Sequence, residues 1–206
     1  MSDLWVCCVK VGDKYGPEYV NRLAAAVQRN LSLQHRMVCA TDNSSGVEVD
    51  CIPAPRLPGW WAKLGLFQER AFGQLDGRLL YLDLDVLVTG PLDELVQYPT
   101  RFAMHRDFTR PLVNASAVMV LDSGVAASIW ATFQSHQTKY MERHKAGGDQ
   151  EYLTAIHPAV DLLPMRWVVS YKRSAVAAPP PDARVVCFHG HPKMHECGGW
   201  VTKAWK

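Results

Sequence analysis

RLLYLDLDVLV, residues 78–88, is the stretch on which the reading of the chain turns. Leu79 to Leu82 is an apolar run of strand length, and Val86 to Thr89 is a second one, closed by Gly90-Pro91. Asp83 and Asp85 stand between them, with only Leu84 separating the two. Ionised carboxylates are rare in buried settings unless they are paired or hold a cation. A single Asp after a strand reads as turn chemistry. Asp-Leu-Asp between two apolar segments predicts instead a cation site at a strand end. On a regular strand both side chains would point the same way. Where the chain bends they can splay around an ion, and their oxygens suit Mg²⁺ or Mn²⁺.

Working outward, Leu4 to Val11 reads as a buried strand, and Pro17 opens a helix on which Val20, Leu23, Val27 and Leu31 share a face. Arg36 to Ala40 and Val47 to Ile52 read as further strands. This order predicts an α/β domain with a mostly parallel central sheet flanked by helices. The first turn lacks G-x-G-x-x-G, so a dinucleotide-binding reading is weak. Ala62 to Phe72 reads as a helix with Lys63 near its start, where a cation is unfavourable unless it answers an anion. Leu92 to Val96 and Ala126 to Arg143 read as helices, and Phe102 to His105 and Val113 to Leu121 as strands. Gly147-Gly148 precedes a helix over 151–156, with Asp149 either its N-cap or part of a site. Val160 to Leu163, Val168-Val169 and Arg184 to Phe188 complete the strands. Residues 1–197 are expected to form one domain, with 198–206 a mobile tail.

The chain has 206 residues, 48% hydrophobic and 20% charged, which suits a globular domain with one sizeable core. A formal net charge of +2 without a basic block argues against nucleic acid as a partner. No apolar run approaches the roughly 20 residues that span a bilayer. Four of the six cysteines (Cys7, Cys8, Cys39 and Cys187) lie in apolar strand-like runs, and no C-x-x-C occurs. The cysteines are therefore expected to be reduced, in a cytoplasmic protein. The three N-x-S/T matches, at Asn30, Asn43 and Asn114, are read as chance.

A second polar cluster ends the last strand, with Cys187, His189, His191, Lys193 and His195 close in sequence. Cys187 and His189 would share a strand face, and imidazole suits Mn²⁺ better than thiolate. Ligands in open α/β sheets sit beyond the carboxyl ends of the strands. An aspartate pair with a metal, and Lys63 and Lys193 beside it, would clamp a diphosphate and neutralise charge on a departing nucleotide.

These features together resemble a glycosyltransferase of the GT-A fold, a Rossmann-like single domain. The nearest likeness is to the retaining family-eight type, which includes glycogenin and bacterial galactosyltransferases. The resemblance runs from Leu4 to about Lys193. It rests on Lys63-Leu64-Gly65-Leu66, Asp83-Leu84-Asp85, Asn114-Ala115-Ser116, Asp149-Gln150 and Gly190-His191-Pro192-Lys193, in that order. It implies that Asp83, Asp85 and His189 hold Mn²⁺ or Mg²⁺, and that Asp83, Lys63 and Lys193 contact the donor. It implies further that Asn114 touches the donor sugar, that Val9 and Tyr15, with Cys8 and Lys10, cover a uracil, and that Asp149 and Gln150 lie at the reacting carbon. The family has Gly where Ser116 stands, and its metal-binding His aligns with Cys187, leaving the third ligand between Cys187 and His189. The implied activity is metal-dependent transfer of a sugar from a UDP-sugar, with retention, to an acceptor that is a glycan, a protein or a small molecule. A nucleotidyltransferase and a non-catalytic nucleotide-sugar-binding protein are the rival readings; the Gly12–Gly16 turn is a poor phosphate loop for the first.

Overall fold

The computed structural model describes residues 3–206. The first half alternates as expected: β1 (Leu4–Lys10), α1 (Pro17–Asn30), β2 (Arg36–Thr41), β3 (Asp50–Pro53), a 3₁₀ helix (Gly59–Phe67) and β4 (Arg78–Leu82). Next come β5 (Val86–Val88), α2 (Asp93–Val96), β6 (Phe102–Arg106), β7 (Asn114–Asp122), α3 (Ala127–Ser135), α4 (Gln137–Arg143) and α5 (Gly148–Ile156). The chain ends with β8 (Asp161–Leu162), β9 (Val168–Ser170), β10 (Val185–Cys187) and α6 (Trp200–Ala204).

Seven strands form one sheet in the order β3-β2-β1-β4-β7-β6-β8. Four of its six pairings are parallel, and β7 is the antiparallel exception. Side chains alternate across β1 and β4, so each face of the sheet has its own core. Val6, Cys8, Leu80 and Leu82 pack toward α1, while Cys7, Leu79 and Tyr81 pack toward the 3₁₀ helix and α3. A second sheet, β5-β10-β9, stands apart from the first. The last apolar strand therefore pairs with β5, antiparallel, and not with the central sheet.

This arrangement gives the Asp-Leu-Asp segment its place. The chain leaves the large sheet at Leu82 and enters the small one at Val86, so residues 83–85 are the crossing between the two. The amide of Asp83 still donates to the Ala117 carbonyl of β7 (2.8 Å). The carbonyl of Asp85 already accepts from Phe188, just beyond β10 (2.8 Å).

Four expectations are corrected. The helix expected over 62–72 is a 3₁₀ helix that stops at Phe67, because the Gly65 carbonyl takes the Gln68 and Phe72 amides and Phe72 adopts a positive φ of 51°. The helix expected over 126–143 is broken at His136, whose φ and ψ of −152° and 52° lie outside the helical region. The helix expected from residue 151 begins at Gly148, and Asp149 does not cap it; Gly147 stands at the N-cap. Residues 198–206 are not set apart from the domain. Val201 is buried, Trp205 packs edge-on to Tyr19 with centroids 5.1 Å apart, and the Arg22 guanidinium lies 4.0 Å from the Trp205 ring centroid.

Candidate active site

The carboxyl end of β4 opens into a cavity of about 640 Å³, large enough for a small-molecule ligand. Of the expected site residues, Val9, Tyr15, Lys63, Asp83, Asp85, Asp149, Gln150, His189 and Lys193 all line it. Asn114 does not. A register shift between Met104 and His105 leaves residues 116–118 of β7 without partners on β6. The bulge breaks the alternation that would put Asn114 and Ser116 on one face. Asn114 Oδ1 instead accepts from Arg106 (3.0 Å), and Ser116 faces the cavity.

Lys63 is held under the cavity floor by the 3₁₀ helix. Its ammonium spans both Asp83 oxygens (2.9 and 3.1 Å), Asp149 Oδ2 (3.2 Å) and Ser116 Oγ (3.0 Å). Ser116 in turn donates to Asp149 (2.5 Å), and the Tyr81 hydroxyl donates to Asp83 (2.6 Å). An ammonium has three protons, and Asp83, Asp149 and Ser116 take them all. Burial alone would lower the Lys63 pKa, but Asp149 and Asp83 outweigh it and hold it above the ordinary lysine value. Enclosure pushes Asp83 up, against the pull of Lys63, and the neighbouring Asp85 and Asp149 add to the rise.

Lys193 answers Asp85 across the crossing. Its ammonium donates to Asp85 Oδ2 (2.5 Å) and to the Phe188 carbonyl (2.8 Å), and the Tyr15 hydroxyl donates to the same Asp85 oxygen (3.1 Å). The two carboxylates are thus splayed, one on each lysine.

Two histidines line the same cavity. His105 donates through neither ring nitrogen to a carboxylate; Nδ1 lies 3.1 Å from the Arg106 carbonyl and buried Nε2 has no partner. Burial pushes its pKa down to about 4. His189 Nε2 meets Ser170 Oγ (2.7 Å) and its ring stacks on Phe108. Its pKa is lowered by burial and by Lys172. His191 and His195 leave the cluster expected of them: His191 is exposed and bonds Glu196, and His195 bonds Tyr19.

The wall beyond Asp149 was not legible as a site. Asp107 accepts the amides of Thr109 and Arg110 (both 2.8 Å) and the Gln150 side-chain amide (3.2 Å). Burial would raise its pKa, but these bonds bring it down to about 2. Trp60, 48% exposed, lies against Gly148, where a side chain would strike the indole. The adjacent pair Trp60-Trp61 after Gly59 and the Asp107-x-Thr109 turn were the sequence signals available for this wall.

The residues present do not fit the divalent ion expected on Asp83, Asp85 and His189. Both Asp83 oxygens face Lys63, Asp85 carries Lys193, and His189 Nε2 faces Ser170. Cys187, the alternative ligand, is a buried thiol whose pKa is raised by burial and by Asp85 and Asp83. Among the described residues, no three His, Cys, Asp or Glu side chains are gathered as a metal-binding group.

No protein-family model matches the sequence, and no curated protein matches it. Solved structures do. The glycosyltransferase GlyE of Streptococcus pneumoniae TIGR4 superposes with a TM-score of 0.69 at 14% identity, over 94% of this chain and 56% of that one. LgtC, a galactosyltransferase solved with donor and acceptor sugar analogues, gives 0.64 at 14% identity, over 97% of this chain and 94% of LgtC. The bifunctional glycosyltransferase WbbM gives 0.65 at 14% identity, over 94% of this chain and 47% of its own. The chain thus spans about half the length of GlyE and of WbbM, and nearly all of LgtC. It has the α/β GT-A fold of these glycosyltransferases.

Proposed function

We propose that the chain is a glycosyltransferase that moves a sugar from a UDP-sugar to an acceptor. The observation that carries this reading is the cavity at the sheet crossing, on a fold shared with sugar-transferring enzymes. There Lys63, Asp83 and Asp149 meet Asp85 and Lys193. LgtC, similar over 94% of its length, was solved with donor and acceptor analogues together. That supports a cavity with a nucleotide end and an acceptor end. Val9 and Tyr15 form the end for the uracil, Lys193 faces the diphosphate, and Asp149 and Gln150 stand by the reacting carbon. Trp60 and Arg110 wall the side left for the acceptor.

The charge pattern supports retention. Every aspartate described on the cavity wall is already engaged: Asp83 and Asp149 by Lys63, Asp85 by Lys193, and Asp107 by Arg110 (3.2 Å). Asp107, with a pKa of about 2, is also a weak base. An inverting displacement needs a base to take the acceptor proton, and none of these four carboxylates stands free for it. Of the two histidines on the wall, His189 Nε2 meets Ser170, and His105, with Nε2 unpartnered, is a weak base whose pKa burial lowers to about 4.

Incubation with UDP-glucose and UDP-galactose tests the reading. Release of free UDP is expected, slowly to water and faster once an acceptor is supplied. Binding without turnover would make the chain a nucleotide-sugar-binding protein, and pyrophosphate released from UTP would make it a nucleotidyltransferase. Either result overturns the transferase.

A further inference from the structure

We infer that this chain holds the diphosphate of its nucleotide with Lys193 in the seat a divalent metal ion would take, and binds that nucleotide without a metal. The inference rests on the donor reading above and goes beyond it.

The seat in question is Asp85. A metal-bridged diphosphate needs a carboxylate with an oxygen open to the ion and at least one more protein donor aimed at the same point. Here Asp85 Oδ2 already carries the Lys193 ammonium at 2.5 Å and the Tyr15 hydroxyl at 3.1 Å, and among the described residues no group of three His, Cys, Asp or Glu side chains brings further donors to the same point. Both Asp83 oxygens already face a cation, since Lys63 contacts both and Tyr81 shares one. At Cys187 the chain offers sulfur, a soft donor poorly matched to Mg²⁺ or Mn²⁺. His189, two residues on, spends Nε2 on Ser170 and is held by the stack on Phe108. The donor set that would bind a hard ion is dispersed among lysine partners.

The two lysines are not equivalent in what they have left. Lys63 has no proton to spare, so it serves as internal counter-charge. Lys193 has two bonds, to Asp85 and to the Phe188 carbonyl, and three protons. Its third proton is the one available to a ligand in the cavity. The side chain is 8% exposed, so an anion contacting it is drawn out of bulk water, where the charge pair is strongest. Fixed positive charge held by Asp85 costs no reorganisation when the diphosphate departs, which is the advantage otherwise supplied by a bound ion. Lys172 stands close by, its Nζ 3.1 Å from where a Gly190 side chain would begin, and adds positive charge at the same rim.

The experiment is calorimetric titration of UDP into the full chain, once in EDTA and once in millimolar Mn²⁺. Equal affinity in the two buffers, within about threefold, is expected. In EDTA, Lys193→Met should weaken UDP about tenfold or more, a difference of about 1.4 kcal/mol, while Lys193→Arg keeps most of the affinity. Far-UV circular dichroism checks that each variant is folded, and if Lys193→Met is not, the two-buffer comparison on the native chain still decides. UDP binding that requires Mn²⁺, or Lys193→Met binding as well as the native chain in EDTA, overturns this inference and leaves the transferase standing. No UDP binding in either buffer overturns the UDP-donor reading and the inference with it.

Discussion

The Lys63 end and the Lys193 end of the cavity use the same chemistry, an ammonium on an aspartate, to different purpose. Lys63 lies beneath the large sheet, buried, with two carboxylates and a hydroxyl consuming its donors. Lys193 sits on the loop after β10, on one carboxylate and one carbonyl. The first lysine is part of what lets Asp149 be buried and Asp83 half-buried; the second is a cation held ready beside open space. Position on the fold decides the difference, because residue type is the same.

Removing each ammonium should separate them. Lys63→Met leaves two carboxylates facing each other with no counter-charge, the case in which breaking a buried ion pair costs most, about 3–5 kcal/mol. Urea unfolding measures it, and adding Asp149→Asn to Lys63→Met should recover part of the loss, since the two sites are in contact. Lys193→Met should cost only about 1–2 kcal/mol, because Tyr15 still donates to Asp85 and the carboxylate reaches cavity water. Equal losses from the two variants would erase the distinction.

A second measurement asks what becomes of a base in this cavity that has no carboxylate on it. His105 faces the Arg106 carbonyl on its own strand, Asp107 beyond it, and Lys63, His189 and Phe108 from the elements around it. Burial pushes its pKa to about 4, while the unfolded chain takes up the proton near the ordinary 6.5. Between these values the unfolded state binds a proton that the native state does not, so stability falls as pH drops from 6.5 towards 4 and the decline levels off below. The expected loss is roughly 3 kcal/mol for a shift of this size. Urea midpoints across that range should show a weaker slope in His105→Phe than in the native chain, with carboxylate titrations common to both. Identical slopes would mean His105 is protonated in the fold.

The body of the large sheet was legible because β1, β2, β4, β6 and β7 run five to nine residues, long enough to show alternation or continuous apolar runs, and because Pro17 marks a helix start. The small sheet was not. Its strands β5, β9 and β10 are three residues each, too short to say which partner they take. That is why residues 83–85 read as a strand end without revealing a crossing between sheets. That Asp83 and Asp85 would have partners was legible by chemistry alone, since two carboxylates in apolar surroundings are costly unless paired. What the partners would be was not: ion and ammonium satisfy the same electrostatics, and only distance tells them apart. The break at His136 has no Gly or Pro to announce it. That Asn114 faces Arg106 and not the cavity was not legible, because a bulge alters which alternate residues share a face and no residue type in 114–118 signals one.

Ser116 offers the finest test of the contrast between the lysines. It stands where the resemblance has glycine, and its hydroxyl bridges Lys63 and Asp149 (3.0 and 2.5 Å). Ser116→Ala removes a hydrogen bond to each of two charged groups that keep one another as partners, so the expected loss is small, about 1 kcal/mol in urea unfolding. It also frees the third proton of Lys63. If that proton is the only thing separating a structural lysine from a ligand-binding one, UDP affinity in EDTA should hold or rise in Ser116→Ala, in the opposite direction to Lys193→Met. A fall in affinity would show that the hydroxyl itself reaches the nucleotide, and Lys63 would no longer be purely internal counter-charge.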